Sequence, residues 1–478
     1  MGRRLVSMDI GSLSALQLVA AMSDEKTGLT RRGFLPATAA AFTIVPRHVL
    51  GAGYTAPSDK LNIAAVGVGG MGKNYVKGCA SENIVAIADV DHVFAAPVFK
   101  TYPGAKVYKD YRVMLEKEKG IDAVIVGTPD HSHAVVASAA IALKKGVYVA
   151  KPMTRTVFEA RELARAARER KVATQMSVQS TSTDPAVTTE EWVKSGVIGK
   201  VREVHVWTDR PVWPQGLVRP VDKAAAPASL DWDIWLGPAP VRPYHPLYHP
   251  FNFRGWYDFG TGALGDMACH TFHIIVKALG LGAPLSVSAE RTVIREPLHR
   301  GEKPDPDWTR SKRGSYPETF PSSSVVTWDF PAREEQPAVR MSWYDGGLRP
   351  PRPPELAPDR DLGADGLLFV GEKGTLWSEF SGGIRFLSDR QQQSLAAPPK
   401  SLPRTAGHYM EWVNACKGGA PANCNFEFAA PLTEIALLGV VAQRTGKFLL
   451  WDAEGMRFPN HAAATELLKP EYRQGWSL

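Results

Sequence analysis

The stretch LNIAAVGVGGMG at residues 61–72 joins a short apolar run directly to four closely spaced glycines. An apolar run of this length that ends at a glycine turn predicts a buried strand at residues 61–66. The glycines then lead into a helical pattern, and they leave room for a tight turn and for close packing of the helix on the strand. The stretch therefore predicts the first strand, turn and helix of a parallel α/β sheet.

The residues that follow repeat this alternation of strand and helix. Further strands are predicted at 84–89, 123–127, 147–150 and 174–178, with helical periodicity between them. Repeated units of this kind form a parallel sheet that helices cover on both faces. We therefore predict a doubly wound parallel sheet, a Rossmann domain, at residues 59–180.

The pattern changes after residue 180. Alternating runs at 201–207, 285–293, 324–330, 338–343 and 367–370 predict strands joined by turns, which is typical of an antiparallel sheet. We expect an α+β domain with a large, mainly antiparallel open sheet at residues 181–450, and a C-terminal tail at 451–478 that packs back on the body. An uncovered apolar sheet face would be exposed, so we also expect a homo-oligomer, a dimer or a tetramer.

The glycine turn also predicts a binding site. Such a turn lets the backbone approach a pyrophosphate, and an acid at the end of the second strand accepts the ribose hydroxyls of an adenosine. Asp89 stands at that position, and the next three residues, 90–92, include no Arg or Lys for a 2′-phosphate, so NAD is favoured over NADP. The predicted cofactor contacts are Gly67, Gly69, Gly70, Met71, Gly72, Asp89, Thr128, Pro129, His131, His133 and Lys151.

Three segments bring further polar side chains to the same edge of the sheet. Lys151 follows a predicted parallel strand, at the edge where open α/β sheets bind ligands, and residues 128–133 leave the neighbouring strand there. Asp266 and His270 stand four residues apart on one face of a predicted helix. Hydride transfer from an alcohol needs a general base and a donor to the developing alkoxide, and these side chains supply both. Asp266 could instead only cap the helix.

At these residues the chain resembles the Gfo/Idh/MocA family, which includes glucose-fructose oxidoreductase and inositol dehydrogenase, and in particular its twin-arginine-exported bacterial members. The resemblance covers nearly the whole chain from residue 61 onward, including segments 231–238, 254–258 and 472–476. It implies that His270 is the general acid/base, that Asp266 orients it or relays its proton, and that Lys151 donates a hydrogen bond to the reacting oxygen. In two departures, Ala150 replaces the glutamate that usually precedes this lysine, and His273 stands where many relatives have an aspartate.

The site and the resemblance together predict an NAD(P)-dependent oxidoreductase that acts on a CH–OH group of a sugar, glycoside or polyol. One alternative is an NAD-dependent glycosidase that uses transient ring oxidation and elimination, and another is a non-catalytic sugar-binding protein with a vestigial Rossmann domain. Histidines near Asp266 could also form a zinc site, but hydride transfer to NAD needs no metal, so none is expected. The predicted substrate contacts are Gln179, Arg254, Trp256, Tyr257 and His273.

The N-terminal residues 1–58 predict the location of the protein. A twin-arginine pattern at residues 30–35 precedes an apolar run, 34–45, that is too short to span a bilayer. We interpret 1–58 as an export signal and linker, rather than an amphipathic helix, and expect a periplasmic or otherwise exported protein without a stable membrane anchor. Free NAD is scarce outside the cytoplasm, so we expect the cofactor to stay tightly bound and to be recycled internally. A net charge of +7 over 478 residues indicates no nucleic-acid partner.

Overall fold

In the computed structural model, which describes residues 59–222, 224–295, 313–314, 318–334 and 336–478, the first large sheet is parallel. Its strands are β1 (Asn62–Val66), β2 (Asn83–Ala88), β3 (Lys106–Tyr108), β4 (Ala123–Val126), β5 (Gly146–Val149) and β6 (Thr174–Met176). They pair in the order β3-β2-β1-β4-β5-β6, and every pair is parallel. This arrangement confirms the predicted Rossmann sheet. The predicted export signal at residues 1–58 lies outside the described ranges.

Helices connect these strands and cover the sheet. They are α1 (Gly72–Gly78), α2 (Ala96–Thr101), α3 (Tyr111–Lys117), α4 (Asp130–Ala142) and α5 (Val157–Arg170). Helix α5 begins with a capping box, in which the Thr156 side chain accepts from the Glu159 amide and the Glu159 side chain accepts from the Thr156 amide. Strand β4 and strand β5 are buried at every position, as expected of a parallel sheet between two helical layers.

The rest of the chain builds a second, larger sheet. The elements of this part of the chain, in order, are α6 (Asp184–Lys194), β7 (Val201–Trp207), α7 (Trp232–Leu236), α8 (Gly262–Met267), α9 (Cys269–Leu279), β8 (Ser286–Arg291), β9 (Ile294–Arg295), β10 (Arg313–Gly314), β11 (Ser324–Phe330), β12 (Val339–Tyr344), β13 (Gly366–Gly371), β14 (Gly374–Ser378), β15 (Ile384–Arg385), α10 (Asp389–Ser394), α11 (His408–Cys416), α12 (Phe426–Thr445), β16 (Leu449–Leu450) and α13 (Ala462–Glu466). Strands β9 and β10 pair with each other in a separate two-stranded sheet. Eight strands pair in the order β15-β14-β13-β7-β12-β11-β8-β16, and only β7 with β12 is parallel. The predicted open, mainly antiparallel sheet is therefore confirmed.

Helix α12 joins the two sheets. It packs against α5 of the parallel sheet and against β8 and β11 of the second sheet. The helix is long and apolar enough to cross a membrane, but 78% of its apolar window is buried inside the protein. Its composition is therefore that of a core helix shared by both halves.

The outward face of the eight-stranded sheet is polar at its centre. His205, Ser342 and Thr327 lie side by side there on neighbouring strands, and Arg340 pairs with Asp329 at 2.8 Å. The apolar end of the same face, at Trp207, is covered by a buried cluster. Apolar exposure therefore gives no argument for an oligomer. The homo-oligomer stays a prediction, which a monomeric mass in light scattering would contradict.

Candidate active site

The glycine turn between β1 and α1 requires glycine at two positions, Gly67 and Gly72. Gly67 has φ of +76°, and a Cβ there would lie 2.7 Å from the amide nitrogen of Thr128. A Cβ on Gly72, where α1 begins, would lie 1.9 Å from the carbonyl oxygen of Gly67. Gly70 has open space beside it, since a Cβ would meet nothing within 4 Å. The turn thus packs tightly against β1 and β4 and leaves its tip free for a ligand.

Asp89 follows β2 and holds this turn in place. Its Oδ2 accepts hydrogen bonds from the amides of Val68 at 2.7 Å and Gly69 at 3.1 Å, and its Oδ1 accepts from the amide of Asp91 at 3.0 Å. Burial raises the pKa of this carboxyl above its ordinary value, and the amide donors offset only part of that shift. The side chain therefore both shapes the glycine turn and faces the cavity next to it.

A cavity lies over the carboxyl edge of the parallel sheet. Of the predicted cofactor contacts, it is lined by Gly67, Gly69, Gly70, Met71, Asp89, Thr128 and Pro129, whereas Gly72, His131, His133 and Lys151 lie outside its wall. Ala150, which directly precedes Lys151, and Arg254 also line it. The wall further includes side chains that the sequence did not single out, among them Phe94, Lys109, Tyr111, Trp235, Phe251 and Trp476.

His131 and His133 are buried and each joins two backbone carbonyls. The ring nitrogens of His131 lie 2.9 Å from the Trp235 carbonyl oxygen and 3.1 Å from that of Phe259. Those of His133 lie 2.8 Å from the carbonyl oxygens of both Thr128 and Pro152. Burial lowers the pKa of both rings, that of His131 to about 4. These two histidines therefore tie the loop after β4 to the segments around it.

Four charged side chains meet at the carboxyl end of β5. Lys151 Nζ lies 2.6 Å from both the carbonyl oxygen and Oδ1 of Asp266. Arg254 Nη1 lies 3.0 Å from the same Oδ1 and 3.3 Å from Oδ1 of Asp130. The Thr261 hydroxyl donates to the other Asp130 oxygen at 2.6 Å. Two carboxylates thus face two cations in a largely buried cluster.

The charges around Asp266 keep it ionised. Burial disfavours its charge, but the cations of Arg254 and Lys151 outweigh burial and hold the pKa of this carboxyl well below its ordinary value. Asp266 lies inside α8, and α9 begins after Ala268 without a side-chain cap. Its carboxylate therefore acts as a counter-ion, and helix capping does not explain it.

His270, one turn further along, is partly exposed. In the described part of the chain its ring makes no hydrogen bond, and the Asp266 carboxylate bonds Lys151 and Arg254 instead. Burial first, and then the charge of Lys151, lower the pKa of His270 to about 3. The imidazole is thus neutral at neutral pH and can accept a proton.

The other predicted substrate contacts lie outside the cavity wall. Gln179 Nε2 lies 3.5 Å from the hydroxyls of both Tyr148 and Tyr409, and His273 Nε2 lies 2.9 Å from the Ser180 hydroxyl. Trp256 is fully buried, and Tyr257 is buried with the Arg444 guanidinium 4.9 Å from its ring. Of the five predicted substrate residues, only Arg254 reaches both the cavity and the charged cluster. Asp130 and Thr261 complete that cluster and were not predicted.

Removing the Asp266 charge tests the buried cluster. Asp266→Asn should lower the free energy of unfolding by roughly 3–5 kcal/mol, because it leaves two buried cations with one carboxylate. This difference should shrink on acidification, since a carboxylate with a lowered pKa loses its stabilising effect as the pH falls toward that pKa. Urea denaturation measures both effects.

A matched control uses a carboxylate on the surface. Asp329→Asn breaks the exposed pair with Arg340 and should cost only about 0–1 kcal/mol. Equal losses for the two variants would contradict a stabilising role for the Asp266 charge.

Two regions of the chain match models of one protein family. Residues 61–178 match the model of an oxidoreductase family with an NAD-binding Rossmann fold, and residues 191–292 match the C-terminal alpha/beta domain of the same GFO_IDH_MocA family. Among the described residues, no group of three metal-binding side chains converges.

Similar proteins include two curated dehydrogenases. Inositol 2-dehydrogenase 1 of Saccharopolyspora erythraea is 31% identical over 103 residues, which are 21% of this chain and 31% of that protein. Levoglucosan dehydrogenase of Pseudarthrobacter phenanthrenivorans is 22% identical over 254 residues, which are 51% of this chain and 57% of that protein. The matched regions thus span less than two thirds of either relative.

Likeness to solved structures extends over most of the chain. The WlbA dehydrogenase from Bordetella pertussis, solved with NADH and UDP-GlcNAcA, has 17% identity and a TM-score of 0.54, covering 82% of this chain and 99% of that one. At this identity the likeness supports the two-sheet fold. Two separate regions, residues 61–178 and 191–292, thus match the two domain models of the Gfo/Idh/MocA oxidoreductase family in chain order.

Proposed function

We propose that the protein is an NAD-dependent oxidoreductase that removes a hydride from a CH–OH group of a sugar, glycoside or polyol. The observation that carries this proposal is the contact of Lys151 with Asp266 at the carboxyl end of β5, directly after the cavity-lining Ala150. Ligands of open α/β sheets bind at this edge. The names of the curated relatives, an inositol and a levoglucosan dehydrogenase, support the same class of substrate.

The residues around the cavity suit a dinucleotide. The cavity wall runs from the glycine turn and Asp89 to Ala150 and Arg254, as an extended ligand would require. The open space beside Gly70 leaves room for a pyrophosphate, and Asp89 stands where it can bond ribose hydroxyls. NAD bound here would accept the hydride.

Lys151 and His270 would have different roles in the oxidation of the alcohol. Two of the three N–H donors of Lys151 are directed to Asp266, which leaves one for the oxygen of the substrate. That hydrogen bond would stabilise negative charge as the oxygen loses its proton. The neutral His270 imidazole would take the proton, and Asp266 and Arg254 would keep Lys151 in position.

Cofactor choice is a separate prediction that calorimetry tests. We expect NAD to bind roughly 10-fold or more tightly than NADP, because Asp89 would face the 2′-phosphate. Asp89→Asn keeps an oxygen for the Val68 and Gly69 amides but removes the charge. It should therefore reduce the difference in affinity between NAD and NADP. Asp122→Asn, at the opposite edge of the sheet, is the control and should leave the difference in affinity between NAD and NADP unchanged. Equal affinity of the wild type for both cofactors would contradict the assignment.

We also propose that the protein is exported through the twin-arginine signal and keeps its NAD bound between turnovers. Cavity walls contributed by both halves of the fold, including Gly69 and Trp235, support such retention. Cell fractionation that finds the mature protein in the cytoplasm would contradict export.

The direct experiment is to purify the protein without added nucleotide, supply NAD where none is retained, and add sugars, glycosides and polyols one at a time. A rise in the absorbance of reduced nicotinamide with one class of substrate is the expected result. No nucleotide bound and no response to any compound would favour a sugar-binding protein instead. A band that rises and then decays with glycoside cleavage would indicate the glycosidase chemistry.

A further inference from the structure

The last residues of the chain reach the dinucleotide cavity. Trp476 lies beyond the last helix, is partly buried, and contributes to the cavity wall. Nothing in the proposed chemistry uses this side chain. Its position is held by contacts with three separate parts of the fold.

Arg473 makes the first of these contacts. Its guanidinium donates to Asp233 Oδ1 at 2.6 Å, to the Asp233 carbonyl oxygen at 2.7 Å and to the Gly237 carbonyl oxygen at 2.5 Å. Its own amide donates to the Pro238 carbonyl oxygen at 3.2 Å. Four hydrogen bonds thus fix this residue against α7 and the turn that follows.

Two further contacts fix the ends of the segment. The Tyr472 hydroxyl lies 2.6 Å from Oε1 of Glu159, the residue that forms the capping box of α5. On the other side, the Arg112 guanidinium lies 4.5 Å from the centre of the Trp476 ring. Arg112 follows Tyr111, which itself lines the cavity at the start of α3.

These contacts locate Trp476 at one end of the cavity. Asp89, Lys109 and Tyr111 lie at the carboxyl ends of β2 and β3, which is the adenosine side of a Rossmann site. Ala150 and Arg254, next to the charged cluster, lie at the reacting side. Because Arg112 lies over the Trp476 ring, the indole lies at the adenosine side of the cavity.

We propose that Trp476 stacks on the adenine ring of the dinucleotide and that residues 472–476, here called the C-terminal clasp, retain the cofactor. The proposal rests on the proposed function, since it assigns a further residue to the same site. Aromatic side chains stack on any base through their π-faces, and the indole offers a large flat surface for this. A clasp held at three points would slow cofactor release, as an enzyme that keeps its NAD requires.

Binding of the two halves of the cofactor tests the clasp. Trp476→Ala should weaken AMP roughly 5- to 150-fold in calorimetry and leave nicotinamide mononucleotide unchanged. Trp476→Phe should restore most of the AMP affinity. Arg473→Ala, which removes an anchor outside the cavity wall, should speed the release of NAD.

The matched control is Trp377→Ala, which removes a partly exposed tryptophan from β14, outside this cavity. It should leave AMP affinity unchanged. Unchanged AMP affinity in Trp476→Ala, or equal weakening of AMP and nicotinamide mononucleotide, would overturn the clasp while the proposed function stands. A wild-type protein that binds neither NAD nor AMP would overturn both.

Discussion

His270→Ala is expected to lower kcat roughly 10²- to 10⁴-fold and to leave the affinity for NAD unchanged. The imidazole is the partly exposed, neutral base of the site, and it lies outside the cavity wall that would hold the cofactor. Steady-state kinetics and calorimetry measure the two effects. Added free imidazole should restore part of the activity, since the variant keeps a space where the ring was.

The pH dependence follows from the lowered pKa of His270. A base with a pKa of about 3 stays neutral far below the ordinary range of histidine, so turnover should not fall as the pH passes through about 6.5. His205→Ala, on the outward face of the large sheet, is the control and should leave kcat unchanged. Full activity in His270→Ala would contradict the assignment of the base.

Lys151→Met is expected to lower kcat roughly 10²- to 10³-fold, because it removes the hydrogen-bond donor to the reacting oxygen. Asp266 keeps Arg254 as a partner in this variant, so the fold should survive. Lys151→Arg should not rescue activity, since the planar guanidinium cannot place one donor on the substrate while it bonds Asp266 in the same way.

The control for this prediction lies at the other end of the same strand. Lys145 precedes β5, and among the described residues its ammonium contacts the Lys119 carbonyl oxygen at 3.5 Å. Lys145→Met should leave kcat unchanged. A variant at Lys151 that turns over as fast as the wild type would remove this lysine from the mechanism.

Local features of the site could be predicted from the sequence. The glycine turn, Asp89 and Lys151 each follow a strand of the parallel sheet. The hydrophobic pattern predicts these strands, and residues that follow parallel strands lie at the same edge of the sheet. The spacing of Asp266 and His270 predicted one helical face, but the structure places these residues on two consecutive helices, α8 and α9. The strand of three mostly exposed residues, β3, had too little apolar pattern to be recognised.

Long-range partners could not be predicted. The residue before Lys151 is Ala150, which carries no charge, and Asp130 and Arg254 complete the charged cluster from segments far apart in the chain. His131 stood at the cofactor edge in the sequence, but its ring turns to the carbonyl oxygens of Trp235 and Phe259. Such contacts depend on how the two sheets pack against each other, and a local sequence pattern does not predict that packing.

Hydride transfer from a substrate carbon to NAD at the Lys151 edge of the sheet can be followed with an isotope. The most direct test uses the sugar or polyol with the strongest absorbance response, labelled with deuterium at its carbinol carbon. After one turnover the nicotinamide is recovered and analysed by mass spectrometry. We expect deuterium on the reduced nicotinamide in the wild type and almost none in Lys151→Met, whereas an unlabelled nicotinamide from an active wild-type protein would rule out hydride transfer from this carbon.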